Sequence, residues 1–383
     1  MNRFVVYRNC FTGDVSGGDM HMSGLLGWLL DTKSEVDPLL VRPHRDGQEK
    51  VYPEVARLRN MMHPDTKLKQ SIALMYVARA FAAARRINKF ADQADMLVAS
   101  SHFLPDVLPV FMARAPKAAK TVFIHHIIAD MDRPETLNTK LANLQEKLCF
   151  SLIKHGFGKI VVVNQQVADR LRELGFKKQQ ILLSSNFVNP LVQPKALAQK
   201  DITLAFCGRM VGQKGVDDFV AVCKKLAPLV PNFRAVMIGV GPELERLRAE
   251  IAQHTLPIEL AGYVDDQTKF DLVSRAQLFV FPSAEEGWGI AVAEALSVGT
   301  PVVAYELPVY ESVFGDHIHA TPLKNQSILA ETVQRLLANY YTNPKEYQIE
   351  QERIVAYAEQ FKVARVAARE YEFIRSTARD QAA

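Results

Sequence analysis

Short, nearly continuous apolar runs alternate along this chain with longer segments whose apolar positions recur every three or four residues. In the first half the runs are FVVY from Phe4, DPLLV from Asp37, MLVAS from Met96, TVFIH from Thr121, KIVVV from Lys159 and QILLSS from Gln180. The spacing between them predicts helices over His21–Leu30, Lys67–Phe90, Thr136–Lys154 and Gln166–Leu174. Strands apolar on both sides and separated by helices predict a parallel sheet covered on both faces. The rhythm restarts after NPLVQPKALAQKD, whose two prolines place a linker near Asn189–Lys200. The second half offers ITLAFC from Ile202, FRAVMIG from Phe233, IELAGYV from Ile258, LFVFP from Leu278 and PVVAY from Pro301. Its predicted helices are Asp217–Ala227, Glu243–His254, Thr268–Arg275, Gly289–Val298, Lys324–Asn339 and Glu346–Thr377.

The pattern implies an α/β protein of two doubly wound domains. Residues 1–190 and 191–355 form the two bodies, and residues 356–383 form a C-terminal helix expected to cross back to the first. Two such sheets facing a cleft would hold ligand at the carboxyl ends of their strands, where open α/β sheets bind. A length of 383 residues with 48% hydrophobic residues suits two cores better than one. The 46 basic and 42 acidic residues leave a net charge of +4, a balance that does not point to nucleic acid. Cys10, Cys149, Cys207 and Cys223 form no C-x-x-C pair, so neither a zinc knuckle nor a disulfide framework is expected. No run has the length needed to cross a bilayer, and the first run is too short for a signal peptide. The expectation is a cytoplasmic protein, with peripheral attachment to the inner membrane face left open.

Candidate chemistry collects at strand exits. AFCGRMVGQKGVDDF leaves a strand through Gly208, Gly212 and Gly215 and carries Arg209 and Lys214. Glycines allow close backbone approach, and free N–H groups at the following helix start would point the same way. A nucleotide diphosphate needs such donors as it loses water. The plainer reading is a solvated loop with a glycine turn. DVSGGDMHMSG places Gly17 and Gly18 at an equivalent exit in the first half, where Asp19 reads as a helix cap and His21 as first-turn decoration. LFVFPSAEEGWGIAVAEAL ends a strand, turns through Gly287 and Gly289 around Trp288, and sets Glu286 eight residues before Glu294. Glu286 is expected to accept from a sugar hydroxyl, where a charge-assisted hydrogen bond contributes about 1.5–3 kcal/mol; the plainer reading of the pair is a solvated cap followed by a helix-surface residue. Glu294 interrupts the small-residue helix AVAEAL, so it needs a partner or a water-filled space. TVFIHH ends in His125 and His126, of which only one should face a ligand. Asp130 and Asp132 read as loop or acceptor-side residues, and no metal site is expected.

With these segments assembled, the chain resembles glycosyltransferase family 4, the two-domain retaining glycosyltransferases of GT-B fold. The resemblance rests on CGRMVGQKG, GVGPELERL and AGYVDDQTKFDLVSRAQLFVFPSAEEGWGIAVAEALSVGTPVVA. It implies that Arg209 and Lys214 hold the donor diphosphate. Glu286 would contact the transferred sugar, as first acid of the E-x7-E motif, and Glu294 the donor ribose. Gly17 and Gly18 would approach the diphosphate and acceptor. His125 would stand at the reaction centre, with His126 a competitor for that place. The match weakens after Tyr305, where Glu311 and Gly315 keep part of the motif. The implied activity is retaining transfer from a UDP- or GDP-sugar to a hydroxyl of a glycan, a lipid-linked glycan or a small molecule, in surface-glycan or glycolipid assembly, with no cofactor beyond the donor. The competing readings are a nucleotide-sugar epimerase and a non-enzymatic sugar-nucleotide-binding protein.

One helix suggests a partner of another kind. KLKQSIALMYVARAFAAARRINKF, Lys67–Phe90, has six basic residues and no acid. An apolar stripe of Leu74, Val77, Phe81 and Ala84, with Arg79, Arg86 and Lys89 directed away from it, would suit an anionic membrane surface as well as a packed helix with a wet side.

Overall fold

A computed structural model of the chain describes residues 2–7, 17–43, 57, 59–63, 72–89, 94–115, 118–127 and 137–380. Two compact units form: Met1–Asn186 with Val363–Ala383, and Phe187–Lys362. Cys10, Lys67, Lys69, Asp130 and Asp132 lie outside the described residues.

In the first unit, β1 (Asn2–Tyr7), β2 (Val36–Pro43), β3 (Arg59–His63), β4 (Met96–Ala99), β5 (Ala119–Ile124), β6 (Lys159–Val162) and β7 (Ile181–Leu183) form one parallel sheet. Its order is β3-β2-β1-β4-β5-β6-β7. The crossovers include α1 (Gly17–Thr32), α2 (Ile72–Ile87), α3 (Leu104–Phe111), α4 (Leu137–Gly156) and α5 (Gln165–Glu173). All six predicted strands are present. The seventh, β3, has the mixed sequence RNMMH and sits at the sheet edge beside β2, where continuous apolarity is not required. Helix α3 was hidden by Pro105 and Pro109. Pro105 occupies the first turn, where a missing N–H costs no hydrogen bond.

Strand alternation divides the core into two layers. Val5, Leu97, Val122 and Ile160 face α2–α5, packing with Ala83, Val107, Ile153 and Leu171. Phe4, Val6, Val98, Phe123 and Val161 face the other way, onto Met22, Leu25, Leu26 and Leu29 of α1. That second layer is completed by Ala367, Tyr371 and Ile374 of the C-terminal helix.

The second unit has β8 (Ile202–Cys207), β9 (Ala235–Ile238), β10 (Ile258–Gly262), β11 (Ala276–Phe281), β12 (Val302–Tyr305) and β13 (His319–Thr321) in the order β10-β9-β8-β11-β12-β13. Its helices are α6 (Val216–Leu226), α7 (Leu244–Gln253), α8 (Asp266–Ser274), α9 (Ile290–Ser297), α10 (Pro308–Val313), α11 (Gln326–Thr342) and α12 (Pro344–Ala358). The three-residue β13 and the single-turn-and-a-half α10 were too short to carry a period.

Two expectations are corrected. The last predicted helix, Glu346–Thr377, is two helices: α12 and α13 (Val363–Asp380), separated by a 3-10 turn over Glu359–Phe361 and an extended Lys362 at φ −62°, ψ 137°. No glycine or proline marks the break. Buried Phe361 causes it by packing edge-on against Trp288, while Lys362 forms a parallel bridge with Val188. The stripe drawn on α2 is also rotated. Arg79 is buried and Phe81 is 46% exposed, while Ala80, Ala83, Ala84 and Ile87 pack inward. Arg85 and Lys89 are exposed. Among the described residues no helix is long and apolar enough to cross a membrane.

Candidate functional site

In a doubly wound sheet the crossovers diverge where strand order reverses, leaving a crevice at the carboxyl ends. In the second unit that point lies between β8 and β11. The loop leaving β8, residues 208–215, and the loop leaving β11, residues 282–289, therefore frame it. Backbone bonds lock the first loop to its neighbours. Gly208 N donates to Ile238 O at 2.9 Å, Met210 N to Val240 O at 2.9 Å, and Ala284 N to Gln213 O at 2.9 Å. Gly215 turns at φ +71°, and a Cβ there would stand 2.0 Å from Pro282 O, so only glycine lets the two loops touch. The GVGP turn serves the same packing, since a Cβ on Gly239 would stand 1.9 Å from Gly208 O.

The loops bring together two residues that sequence reasoning had assigned separate tasks. Lys214 Nζ lies 2.5 Å from Glu286 Oε1, with both side chains mostly buried. Arg209 is exposed on the first loop. Beside them, Gly212 and Gly287 would present an added Cβ to nothing within 4 Å. Helix α6 begins after Gly215 and α9 after Gly289, both without a side-chain cap. Their first-turn N–H groups thus flank the same two loops.

Glu294 finds the partner its helix demanded. Lys269 Nζ of α8 meets its Oε1 at 2.6 Å and Asp266 Oδ1 at 3.0 Å. Burial raises the Glu294 carboxyl above its ordinary value, against the opposing pull of Lys269. Burial also opposes the Lys269 charge, but Glu294 and Asp266 outweigh it and hold the ammonium above its usual range. Cys207, at the end of β8, is pushed up to about 12 by burial and by Glu294, which leaves it an unreactive thiol. Lys269 escaped the sequence reading. Its only signal was the unpaired charge in AVAEAL, which demands a cation without saying which helix supplies it.

Trp288 is buried against Phe314 and Phe361. Tyr310 lies next to the turn, its hydroxyl buried without a hydrogen-bond partner among the described residues and raised well above its ordinary value by burial and by Glu286. A cavity of about 410 Å³ opens there, lined by residues that include Glu306, Tyr310, Glu311 and Gly315.

In the first unit, α1 begins at Gly17, so Asp19 lies in the first turn rather than at the cap. A Cβ on Gly18 would stand 3.0 Å from His125 Cδ2, which brings the second glycine of that turn against the strand-end histidine. His125 and His126 diverge. His125 meets the rings of His21 and Phe123, and His126 those of His102 and Phe103. His21 is not first-turn decoration: it is 2% exposed and hydrogen-bonded on both ring nitrogens. Among the described residues no group of three or more His, Cys, Asp or Glu stands close enough to hold a metal ion.

Comparison with known proteins bears on the fold and on part of the sequence. Residues 189–361 match the family model described as "Glycosyl transferases group 1". A 2-deoxystreptamine N-acetyl-D-glucosaminyltransferase of Niallia circulans is 30% identical over 27% of this chain and 27% of its own length. An alpha-galactosylglucosyldiacylglycerol synthase of Streptococcus pneumoniae is 21% identical over 64% of this chain and 68% of its own. The chain thus spans about a quarter of the first relative and about two thirds of the second. Anabaena HepE, solved in complex with UDP, superposes with a TM-score of 0.74 at 16% identity, covering 98% of this chain and 100% of that one. The fold is GT-B, built from two Rossmann-like α/β units, and the second unit is related in sequence to nucleotide-sugar transferases.

Proposed function

We propose that this chain is a retaining glycosyltransferase of family 4 that moves a sugar from a nucleotide-diphosphate donor to a hydroxyl acceptor. The observation that carries the reading is the Lys214–Glu286 pair at the topological switch of the second sheet, beside glycines with open space and two uncapped helix starts. A diphosphate entering there offers Lys214 a stronger anion than one carboxylate. Lys214 would turn to the phosphates, joined by Arg209 and the N–H groups of α6 and α9. Glu286, released, would accept from the sugar hydroxyls. Glu294, fixed by Lys269, would hold the ribose. Positive groups arranged before the reaction stabilise charge as it develops on the leaving group.

In the chemical step the bond from the anomeric carbon to the diphosphate breaks and a bond to the acceptor oxygen forms on the same face. The acceptor proton passes to a donor phosphate oxygen, and the nucleoside diphosphate leaves. Gly17, Gly18 and His125 belong to the acceptor side in this reading. The relatives named above support a UDP-linked donor and an acceptor in glycan or glycolipid assembly, since one is a glycolipid synthase and another was solved with UDP.

Calorimetry with UDP- and GDP-sugars, followed by transfer assays on the donor that binds, tests the proposal. Arg209→Ala and Lys214→Ala should each weaken donor binding by tenfold or more, the loss of about 1.4 kcal/mol or more, with folding intact. Glu286→Gln should bind nucleoside diphosphate at least as tightly as the parent, because Lys214 is then unopposed, and should transfer sugar poorly. Unchanged donor affinity in both cation variants would remove the phosphate site. Donor binding without transfer to any hydroxyl would favour a sugar-nucleotide-binding protein.

A further inference from the structure

The first unit holds a buried network that the transfer reading does not use. His21 of α1 points Nε2 at both carboxylate oxygens of Glu370, at 2.9 and 3.0 Å, and Nδ1 at Asn186 Oδ1, at 3.0 Å. Ser184 Oγ donates to the same carboxylate. The side chains of His21 and Glu370 are fully buried. Oxygen acceptors at both ring nitrogens favour a proton on each, and the buried carboxylate of Glu370 favours the imidazolium form of His21.

This cation stands beside His125, with ring centroids 5.6 Å apart. The His125 ring is confined by Gly18, His21 and Phe123. Both its nitrogens are buried, and neither has a hydrogen-bond partner among the described residues. Among the described residues, the titratable groups whose charge acts on it are His21 on α1, in ring contact with it, and then His126 next along the chain and His102 from the loop after β4. His102 itself meets Glu146 of α4 at 2.9 Å. A half-buried ring whose two nitrogens lack partners is stabilised by a ligand that supplies them.

We propose that Glu370 and His21 are positioning residues for His125: together they place a fixed positive charge and a packing wall beside it, so that His125 offers an uncharged ring to the ligand. Its role in sugar transfer rests on the reading above, whereas the electrostatic control does not. The C-terminal helix reaches the candidate acceptor side by this route. Burial works against a charge on His21, but the charge of Glu370 and the hydrogen bonds to Glu370 and Asn186 outweigh it and raise His21 above its ordinary value. Burial, then the His21 charge, push His125 well below its own.

Histidine titration by NMR on the full chain tests this without donor or acceptor. His125 is assigned from the signal lost in His125→Gln. In the parent, His21 is expected to titrate above the ordinary histidine value and His125 below it. In Glu370→Gln, His21 should lose its proton at lower pH than in the parent, and the His125 titration should move up; Glu370→Asp should move both back. A His125 titration unmoved in folded Glu370→Gln overturns the proposal. Should that variant not fold, His21→Gln with Glu370→Gln replaces the ion pair by two neutral hydrogen-bonding side chains and carries the same expectation and the same refutation for His125. In transfer assays, Glu370→Gln should lower kcat at neutral pH by about tenfold or more, leave the donor KM unchanged, and shift the acid limb of the pH profile upward. A loss of rate with no shift of that limb marks a purely structural role and refutes the positioning claim. Titrations that behave as stated in a parent that transfers no sugar would support the pair's control of His125 and remove the transfer reading.

Discussion

Gly287 and Gly289 flank Trp288 and are glycine for different reasons. Gly289 sits at φ +101°, where a Cβ would stand 2.7 Å from Tyr310 Cε1. A Cβ added to Gly287 would meet nothing within 4 Å. Gly289→Ala should therefore destabilise the protein by about 1–3 kcal/mol, the range for strained backbone. Gly287→Ala should unfold within about 0.5 kcal/mol of the parent yet weaken donor binding, because the open space is where the sugar would lie. Denaturant midpoints and calorimetry on the pair separate these outcomes; a stable Gly289→Ala would refute the strain argument. At the same scale, Glu294→Ala tests more than ribose contact, since it leaves the mostly buried Lys269 with Asp266 as its one ion-pair partner among the described residues. Replacing Glu294 and Lys269 together by Gln isolates the binding role.

At the scale of elements, α13 covers the sheet face of the first unit that α1 leaves open. Removing Val363–Ala383 takes away Tyr371, Ile374 and Glu370, all fully buried. The expected result is loss of protease resistance in Met1–Asn186 while Phe187–Lys362 stays resistant; equal resistance of both in the truncated chain would contradict the packing described. The basic helix α2 also changes meaning with its orientation. Arg79 lies inside, so a membrane-facing patch must rest on Arg85, Arg86 and Lys89. Vesicle flotation with increasing anionic lipid checks this. Binding should weaken with salt and fall when those three become Gln, and a parent that never floats at low salt on anionic vesicles ends the proposal.

For the whole molecule, two histidines impose opposite pH dependences on stability. His21 is raised above 6.5, so its contribution is complete below pH 6.5 and is lost as pH rises through its folded value. His125 is held below 6.5, so its contribution is present above pH 6.5 and is lost as pH falls toward its folded value. From pH 6.5 upward, the parent's advantage over Glu370→Gln in urea midpoint should shrink. A gap that stays constant or widens across that range would show that His21 carries no charge.

The alternation of strands and helices, the strand exits rich in glycine and the charged residues placed there are all legible in the order of the amino acids. Those are local properties, since a buried parallel strand or a glycine turn writes its requirement into a few adjacent residues. It did not show β3, α3 or α10, where edge position, proline chemistry or shortness erased the period. Nor did it show the break at Lys362, which is caused by Phe361 packing against Trp288, a residue 73 positions away. The partners of the site were invisible for the same reason. Lys214 with Glu286, Lys269 with Glu294 and His21 with Glu370 are 72, 25 and 349 residues apart. Composition can say that a buried charge needs a counter-charge, but only the folded chain selects which one arrives.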